Sequence, residues 1–420
     1  MKMKHGMFVL TVLMSVYSLA LALPPGMTAK PAATAGLDTE TMIDVNNLQM
    51  FVTNQGGYAE DWGLLLETQQ NDGLYFPAGT DKTVLFSAGI WVGGLVGGQI
   101  RLAVGAFDTP EYFQGPADAN GVAQPDRERY KVYKIRKDST IWLDPNKTGI
   151  ETNDGTPYTR LDSARHFDDY SLWVDSAAVD GAPLDALGNP LLIGDQMLWT
   201  VFNDGGEHTY DAYSGGTDSL GVEMQATFWG YDLPGALGNT IFAKWIIIHK
   251  GADQIDSAFV SLWADPDLGG ASDDFVACDT QLSLGYCYNA TNNDNVYGST
   301  PPAIGFDFLQ GPIVRRGDPI YPDEIFDTAM VILNTGDTIP EAIKLGMSSF
   351  NKYINGTDPD VPAQGYGYMR GFNAVEDCPT CPYIDPFTGQ PTKYFGAGDP
   401  VSPGEEDWID TNPADRRYML

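Results

Sequence analysis

The chain is short of basic residues. Only 24 lysines and arginines face 56 aspartates and glutamates in 420 residues, which gives a formal net charge of −32. This charge repels nucleic-acid phosphates and anionic lipid, so nucleic acid is excluded as a partner. It attracts cations instead, although an excess of acidic residues also serves simply to keep a protein in solution.

The chain also lacks the common catalytic motifs. Beyond His5 it has three histidines, His166, His208 and His249, and none lies in a paired metal-binding spacing. No nucleophile elbow, phosphate-binding loop or dinucleotide fingerprint occurs. The sequence therefore predicts no catalytic residue, and a non-enzymatic role is favoured.

Long apolar runs are absent except at the N-terminus. Lys2 and Lys4 precede an apolar run at 7–21, and Leu23-Pro24-Pro25 follows it. This layout predicts a signal peptide at 1–22, because the run is shorter than the ~20 residues of a membrane span. We expect a secreted or outer-surface protein that uses the export machinery and has no membrane span after cleavage.

Glycine and proline punctuate short strand-like segments, and helical periodicity is scarce. The Ala-, Pro- and Thr-rich residues 23–44 read as a flexible linker, and residues 45–420 as an antiparallel β-sandwich with long loops and few short helices. One elaborate domain and two domains with a soft boundary near residue 300 are the two alternatives. Glycine pairs predict a hairpin of strands at 82–92 and 100–107, and alternation predicts a strand at 220–231. Two apolar runs separated by a short turn predict strands at 241–249 and 258–263. The strands at 241–249 and 258–263 are expected to be neighbours.

Five aspartates are concentrated after one predicted strand, among glycines that allow tight turns. Calcium needs six to eight oxygen ligands, which such a loop can supply, so a calcium site is predicted. Gly269 and Val276 stand where an EF-hand needs an oxygen ligand, which excludes that motif. A solvated acidic loop is the alternative. The predicted ligands are Asp265, Asp267, Asp273, Asp274 and Asp279.

Only four cysteines occur: Cys278, Cys287, Cys378 and Cys381. In an oxidising compartment they predict two disulfides, or one disulfide and a spare pair. A zinc site using all four is disfavoured, because Cys278 and Cys287 are too far apart in sequence for a zinc half-site.

Tryptophans raise a second functional possibility. Trp62, Trp173 and Trp408 lie beside acidic residues and are the ones expected to be exposed, where they would stack on sugars. A carbohydrate-binding or carbohydrate-active, glycoside hydrolase-like extracellular module is therefore the alternative to a structural or adhesive protein. Its partners would be cell-surface glycans or other surface proteins.

Twelve short stretches spread across nearly the whole chain carry a resemblance to a known group of proteins. They are VNNL at 45–48, MFVTN at 50–54, SAGIWVGG at 87–94, GDQMLW at 194–199, VFND at 201–204, LGVEMQ at 220–225, PGALGN at 234–239, WADPDLG at 263–269, DDFVACD at 273–279, LGY at 284–286, GDPV at 398–401 and PADRR at 413–417. With these stretches the chain resembles large exported proteins of Bacteroidetes-like bacteria that usually carry a C-terminal type IX secretion sorting domain. The resemblance implies a cell-surface address, with further β domains and the sorting domain after residue 420. It also leads us to expect that the final residues, 416–420, lack a pairing strand.

Overall fold

The computed structural model describes residues 7–17, 40–60, 73–106, 109–110, 112–125, 129–137, 169–208, 216–315, 341–375 and 377–420. Strands dominate these residues, and every strand ladder among them is antiparallel, which confirms the predicted mainly β class. No helix within the described ranges is long and apolar enough to cross a membrane.

The strands are numbered in chain order. They are β1 (Met7–Tyr17), β2 (Glu40–Ile43), β3 (Gln49–Thr53), β4 (Gly57–Tyr58), β5 (Leu74–Tyr75), β6 (Thr83–Leu85), β7 (Ser87–Val96), β8 (Gln99–Ala106), β9 (Thr109–Pro110), β10 (Phe113–Gln114), β11 (Tyr133–Arg136), β12 (Gln196–Asn203), β13 (Val222–Gly230), β14 (Thr240–His249), β15 (Ile255–Asp265), β16 (Asp274–Asp279), β17 (Leu284–Asn289), β18 (Asn293–Asp294), β19 (Gly298–Ser299), β20 (Ala303–Gln310), β21 (Ile313–Arg315), β22 (Ala342–Lys344), β23 (Asn351–Ile354), β24 (Tyr383–Ile384), β25 (Pro391–Thr392) and β26 (Arg416–Met419). The α-helices are α1 (Asp169–Asp175) and α2 (Pro362–Met369), and 3-10 turns occupy Ala177–Asp180, Gly235–Asn239 and Ala271–Asp273.

Two large sheets form the body. Sheet I has the order β10-β12-β13-β14-β1-β20-β17-β16, with β11 also paired to β12. Sheet II has the order β23-β26-β15-β7-β4-β3-β5-β6, with β2 on β3, and β8 linking β7 to β9. Because β2 already belongs to sheet II, the predicted linker ends earlier than residue 44. Its residues 23–39 lie outside the described ranges.

Local sequence explains the strands that were predicted best. Along β13, Val222, Met224, Ala226 and Phe228 alternate with other residues and are all buried in the central core. The β7–β8 hairpin turns at Gly97 and Gly98, whose φ angles of 58° and 81° suit a tight hairpin turn and are readily adopted only by glycine.

The two sheets pack face to face around one apolar core, as predicted for a β-sandwich. Tyr58 of sheet II illustrates the contact: its ring centroid lies 5.7 Å from Phe228 and 5.8 Å from Trp245, both of sheet I. Burying side chains of this size contributes roughly 2–3 kcal/mol each, so the central core is the main source of stability.

The outer face of each sheet carries a smaller cluster under a helix. α1 places Trp173 against Tyr133 and Trp199 on sheet I. α2 places Tyr368 and Met369 on sheet II.

The connection after β14 differs from the prediction. β14 and β15 were expected to be neighbours, but β14 pairs with β13 and β1 in sheet I, whereas β15 pairs with β7 and β26 in sheet II. The turn at 251–254 therefore carries the chain from one sheet to the other. A run of apolar residues identifies a buried strand but does not identify its sheet.

The final residues also differ from the prediction. β26 pairs with β15 on one side and with β23 on the other, so the expectation that this segment lacks a pairing strand is wrong. Its side chains are buried at all four positions. A strand that comes late in sequence thus lies inside sheet II, next to the acidic end of β15.

Candidate cation site

The candidate site begins where β15 ends. Asp265 is the last residue of this strand and is 1% exposed. Its carbonyl oxygen accepts the Phe86 N–H at 3.0 Å, and in register it lies opposite Ser87 of β7. Regular ladder bonds on this side fix the backbone, so the Asp265 carboxylate has a defined position at the sheet end.

Two further carboxylates come to the same point. Asp267 lies two residues after Asp265 and has a left-handed φ of 40°, and Asp415 immediately precedes β26. One carboxylate oxygen from each of Asp265, Asp267 and Asp415 lies within 4.8 Å of the other two. Two segments that are far apart in sequence, residues 265–267 and Asp415, therefore contribute to one acidic cluster.

One guanidinium partly balances this cluster. Arg417 Nε donates to Asp265 Oδ2 at 2.8 Å, and Nη1 donates to both oxygens of Asp358 at 2.8 and 2.7 Å. Asn355 Nδ2 donates to Asp415 Oδ2 at 2.9 Å without adding charge. Four carboxylates thus share one positive side chain, and the cluster is anionic whenever they are all ionised.

Burial makes that charge costly. Desolvation raises the pKa of Asp265 to about 7, in spite of the opposing effect of Arg417. Desolvation, followed by the charges of Asp265 and Asp415, raises the pKa of Asp267 well above its usual range. Carboxylates in this position hold protons at neutral pH or are neutralised by a bound cation.

Each of the three aspartates has one buried carboxylate oxygen that accepts no hydrogen bond. Oδ1 of Asp265, Asp267 and Asp415 is buried without a hydrogen bond, although the second oxygen of Asp265 and of Asp415 is bonded. The Ser87 hydroxyl, opposite Asp265 in register, is buried without a hydrogen bond as well. Buried oxygens of this kind usually pair with a donor or a metal ion, so the donor set fits a hard cation.

The remaining predicted calcium ligands are not part of this three-carboxylate group. Asp274 is fully buried and its Oδ2 accepts the Leu268 N–H at 3.0 Å. Asp273 instead accepts Asn289 Nδ2 at 2.9 Å. Asp279 accepts the N–H groups of the turn that follows it at 2.8 and 2.9 Å. Asp273, Asp274 and Asp279 are thus not among the three carboxylates whose oxygens converge, and their role as calcium ligands stays a prediction. Asp274 is the nearest of them, because its charge contributes to the raised pKa of Asp267.

Asp415 was missed by sequence reasoning. It lies far from the other two aspartates along the chain and only the pairing of β26 with β15 brings it to them. The signal that could have identified it is the PADRR stretch, which places an aspartate directly before two arginines and an apolar strand.

The cysteines divide into one bonded pair and two thiols. Cys378 and Cys381 form a disulfide. Cys278 and Cys287 are free and buried, which corrects the expectation of a disulfide there and matches the alternative of one disulfide and a spare pair. Cys278 lies opposite Gly285, so the two thiols are diagonal across the β16–β17 ladder. Diagonal positions are generally farther apart than a disulfide permits.

These assignments predict a thiol count. Burial raises the pKa of Cys278 to about 12, and burial and nearby Asp274 raise that of Cys287 well above its usual range. Iodoacetamide should therefore label neither cysteine in the native chain, two per chain after unfolding without reductant, and four after reduction, as read by intact mass. Zero labels after unfolding without reductant would show that Cys278 and Cys287 are bonded.

The tryptophan predictions have mixed outcomes. Trp173 is 0% exposed and its Nε1 donates to the Pro183 carbonyl at 3.1 Å, so its predicted role as an exposed stacking platform is wrong. It was assigned from its acidic neighbours, yet α1 turns it inward. Trp408 is half-buried, with its ring 5.0 Å from that of Phe395. Trp62 lies outside the described residues.

Comparison with known proteins does not place the chain in a family. No protein-family model, curated protein or solved structure matches the chain. The class defined by fold and site is a mainly antiparallel β-sandwich with a partly buried carboxylate cluster at the end of one sheet.

Proposed function

We propose that the chain is an exported structural or adhesive protein of the cell surface whose β-sandwich is stabilised by calcium bound to Asp265, Asp267 and Asp415. The observation that carries the proposal is the convergence of three carboxylate oxygens within 4.8 Å of one another. The predicted signal peptide and the resemblance to exported proteins support the location.

Calcium fits this donor set better than other common ions. The cluster offers carboxylate oxygens, whereas zinc prefers sulfur and imidazole nitrogen. Magnesium requires near-ideal octahedral geometry and retains its waters, whereas calcium accepts irregular arrangements of six to eight oxygens. Outside the cell calcium is abundant enough to occupy weak sites.

The proposed cation has a mechanical role. Asp265 ends β15, Asp267 lies in the loop that follows, and Asp415 introduces β26. A cation that binds all three joins the late strand β26 to the centre of sheet II. We therefore expect the docking of β26 onto sheet II to depend on calcium. Such a dependence suits a protein that folds after export.

Thermal melting tests this proposal. Extracellular calcium sites commonly have dissociation constants of ~10⁻⁴ to 10⁻³ M, so 10 mM calcium should stabilise the fold by about 1.4–2.7 kcal/mol. Because the unfolding entropy of a chain of this length is large, we expect Tm to rise by roughly 2–3 °C relative to EDTA. Asp415→Asn should abolish the rise, because it removes one ligand charge while retaining an oxygen that accepts from Asn355.

Asp279→Asn is the matched control. Asp279 was also predicted as a ligand but lies in a separate turn, where asparagine can accept the same N–H groups. Its calcium response should equal that of the wild type. An unchanged wild-type Tm on chelation, or an equal loss in both variants, would refute a site built on Asp415.

A further inference from the structure

The N-terminal strand occupies an unusual position. β1 lies in the middle of sheet I, between β14 and β20, and pairs antiparallel with both. We call the position between Thr240–His249 and Ala303–Gln310 the acceptor slot. The strand in this slot is the same apolar segment that the sequence predicts to be removed as a signal peptide.

The slot lies over the central core. Trp245 on β14 and Phe306 on β20 flank it, each 1% exposed or less. Tyr58 of the opposite sheet contacts both rings from below, at centroid distances of 5.8 and 6.4 Å. Removal of the strand between them would expose these three aromatic rings and two rows of unpaired backbone groups. Unpaired backbone groups along a strand edge are a template for the addition of another strand.

The flanking strands are poorly placed to close the slot themselves. Both run antiparallel to β1, so they run parallel to each other, and with β1 between them they lie about 9.5 Å apart. Direct pairing would require half of sheet I to shift by about one strand spacing across Tyr58. It would also place one parallel ladder in an otherwise antiparallel sheet.

The mature chain offers no suitable replacement among its described parts. Every other described strand already has a place in a ladder. The segment that would become the new N-terminus carries Pro24, Pro25 and Pro31, and proline is not tolerated in a strand paired on both sides. A second copy of the mature chain therefore cannot donate this segment.

We propose that in the exported chain the acceptor slot binds a β-strand supplied by another polypeptide. The occupant is an extended run of about ten residues, without proline, antiparallel to β14 and β20. Large apolar side chains are needed at the positions opposite Ala243, Trp245 and Ile247, which belong to the central core. Backbone bonds to both neighbours would give affinity, as in other cases of strand addition.

The probe is a synthetic peptide of residues 8–17 with two lysines added at each end for solubility. The protein is the exported chain purified from producing cells, with its N-terminus read by mass spectrometry. We expect it to begin at Leu23 and to bind one peptide. At a hundredfold excess over Kd the peptide should raise Tm by about 3 °C and protect amides of β14 and β20 from hydrogen exchange.

Two controls make the result specific. The same peptide with Val12→Pro should not bind, because position 12 pairs with both Ala243 and Phe308 and proline removes the donor. Protection of β16, at the end of sheet I, should not change.

Three results would overturn the proposal. The first is an exported chain that retains Met1. The second is a chain that takes up no peptide and whose β14 and β20 amides are already protected, and the third is a dimer that exchanges a strand between copies. The inference rests on the export assumed in the proposed function but not on the cation site. Peptide uptake without a calcium response would leave it standing.

Discussion

Replacing Arg417 by methionine should destabilise the fold by about 3–5 kcal/mol in calcium-free buffer, because it leaves buried acidic groups without their positive partner. Arg417 and Asp265 side chains are 7% and 2% exposed, and the same guanidinium also binds Asp358. Urea unfolding gives the change directly. Calcium should recover part of the loss, and its stabilising effect should exceed that in the wild type by about 1 kcal/mol or more, because the site becomes more anionic.

Lys137→Met is the matched control for this substitution. Lys137 forms an ion pair with Asp195 at 2.9 Å, but its side chain is 74% exposed. An exposed pair contributes about 0–1 kcal/mol, so this variant should unfold close to the wild type, with the same calcium response. A large loss in Arg417→Met that calcium does not reduce would mean that the guanidinium has only a packing role.

The second large effect is a pH dependence that calcium reverses. The folded-state pKa of Asp265 is raised by burial to about 7, above the value of 3.8 in the unfolded chain. Its stabilising contribution is therefore complete below pH 3.8 and declines as pH rises towards 7. Between pH 5 and pH 8 without calcium, we expect a loss of roughly 2–3 kcal/mol from this group. Asp267 changes in the same direction.

Calcium should act most strongly where this loss is greatest. A cation binds the ionised carboxylates and competes with protons, so the calcium-induced rise in Tm should be larger at pH 8 than at pH 5. The Asp265→Asn variant isolates the contribution of Asp265 to the pH dependence. Its asparagine side chain does not titrate, but it retains an oxygen that accepts a hydrogen bond from Arg417. A wild-type chain with the same pH slope as Asp265→Asn would contradict the assigned pKa shift.

Strands were predictable where a pattern reflects one local cause. The alternation of Val222, Met224, Ala226 and Phe228 places one face of β13 on the core, and Gly97-Gly98 fixes a hairpin. Sheet membership was not predictable for β14 and β15, because both are apolar and neither turn length nor periodicity records which sheet a strand joins. The pairing of β26 was also not predictable, because its partners β15 and β23 are distant from it in sequence.

Two of the three aspartates in the cluster were predictable from the sequence. Asp265 and Asp267 share a strand end and lie within two residues, so sequence proximity found them. Asp273 and Asp274 are just as close in sequence, but the strand that begins at Asp274 directs their carboxylates to Asn289 and Leu268. Asp415 comes from long-range pairing, which no local pattern encodes. Burial of Trp173 likewise depends on how α1 packs, not on its acidic neighbours.

The most direct measurement is a crystal structure of the exported chain grown in calcium chloride, with anomalous data collected at long wavelength. We predict one anomalous peak at about 2.3–2.6 Å from carboxylate oxygens of Asp265, Asp267 and Asp415. A structure with no peak there, in which these carboxylates share protons through short hydrogen bonds, would contradict calcium binding at this site.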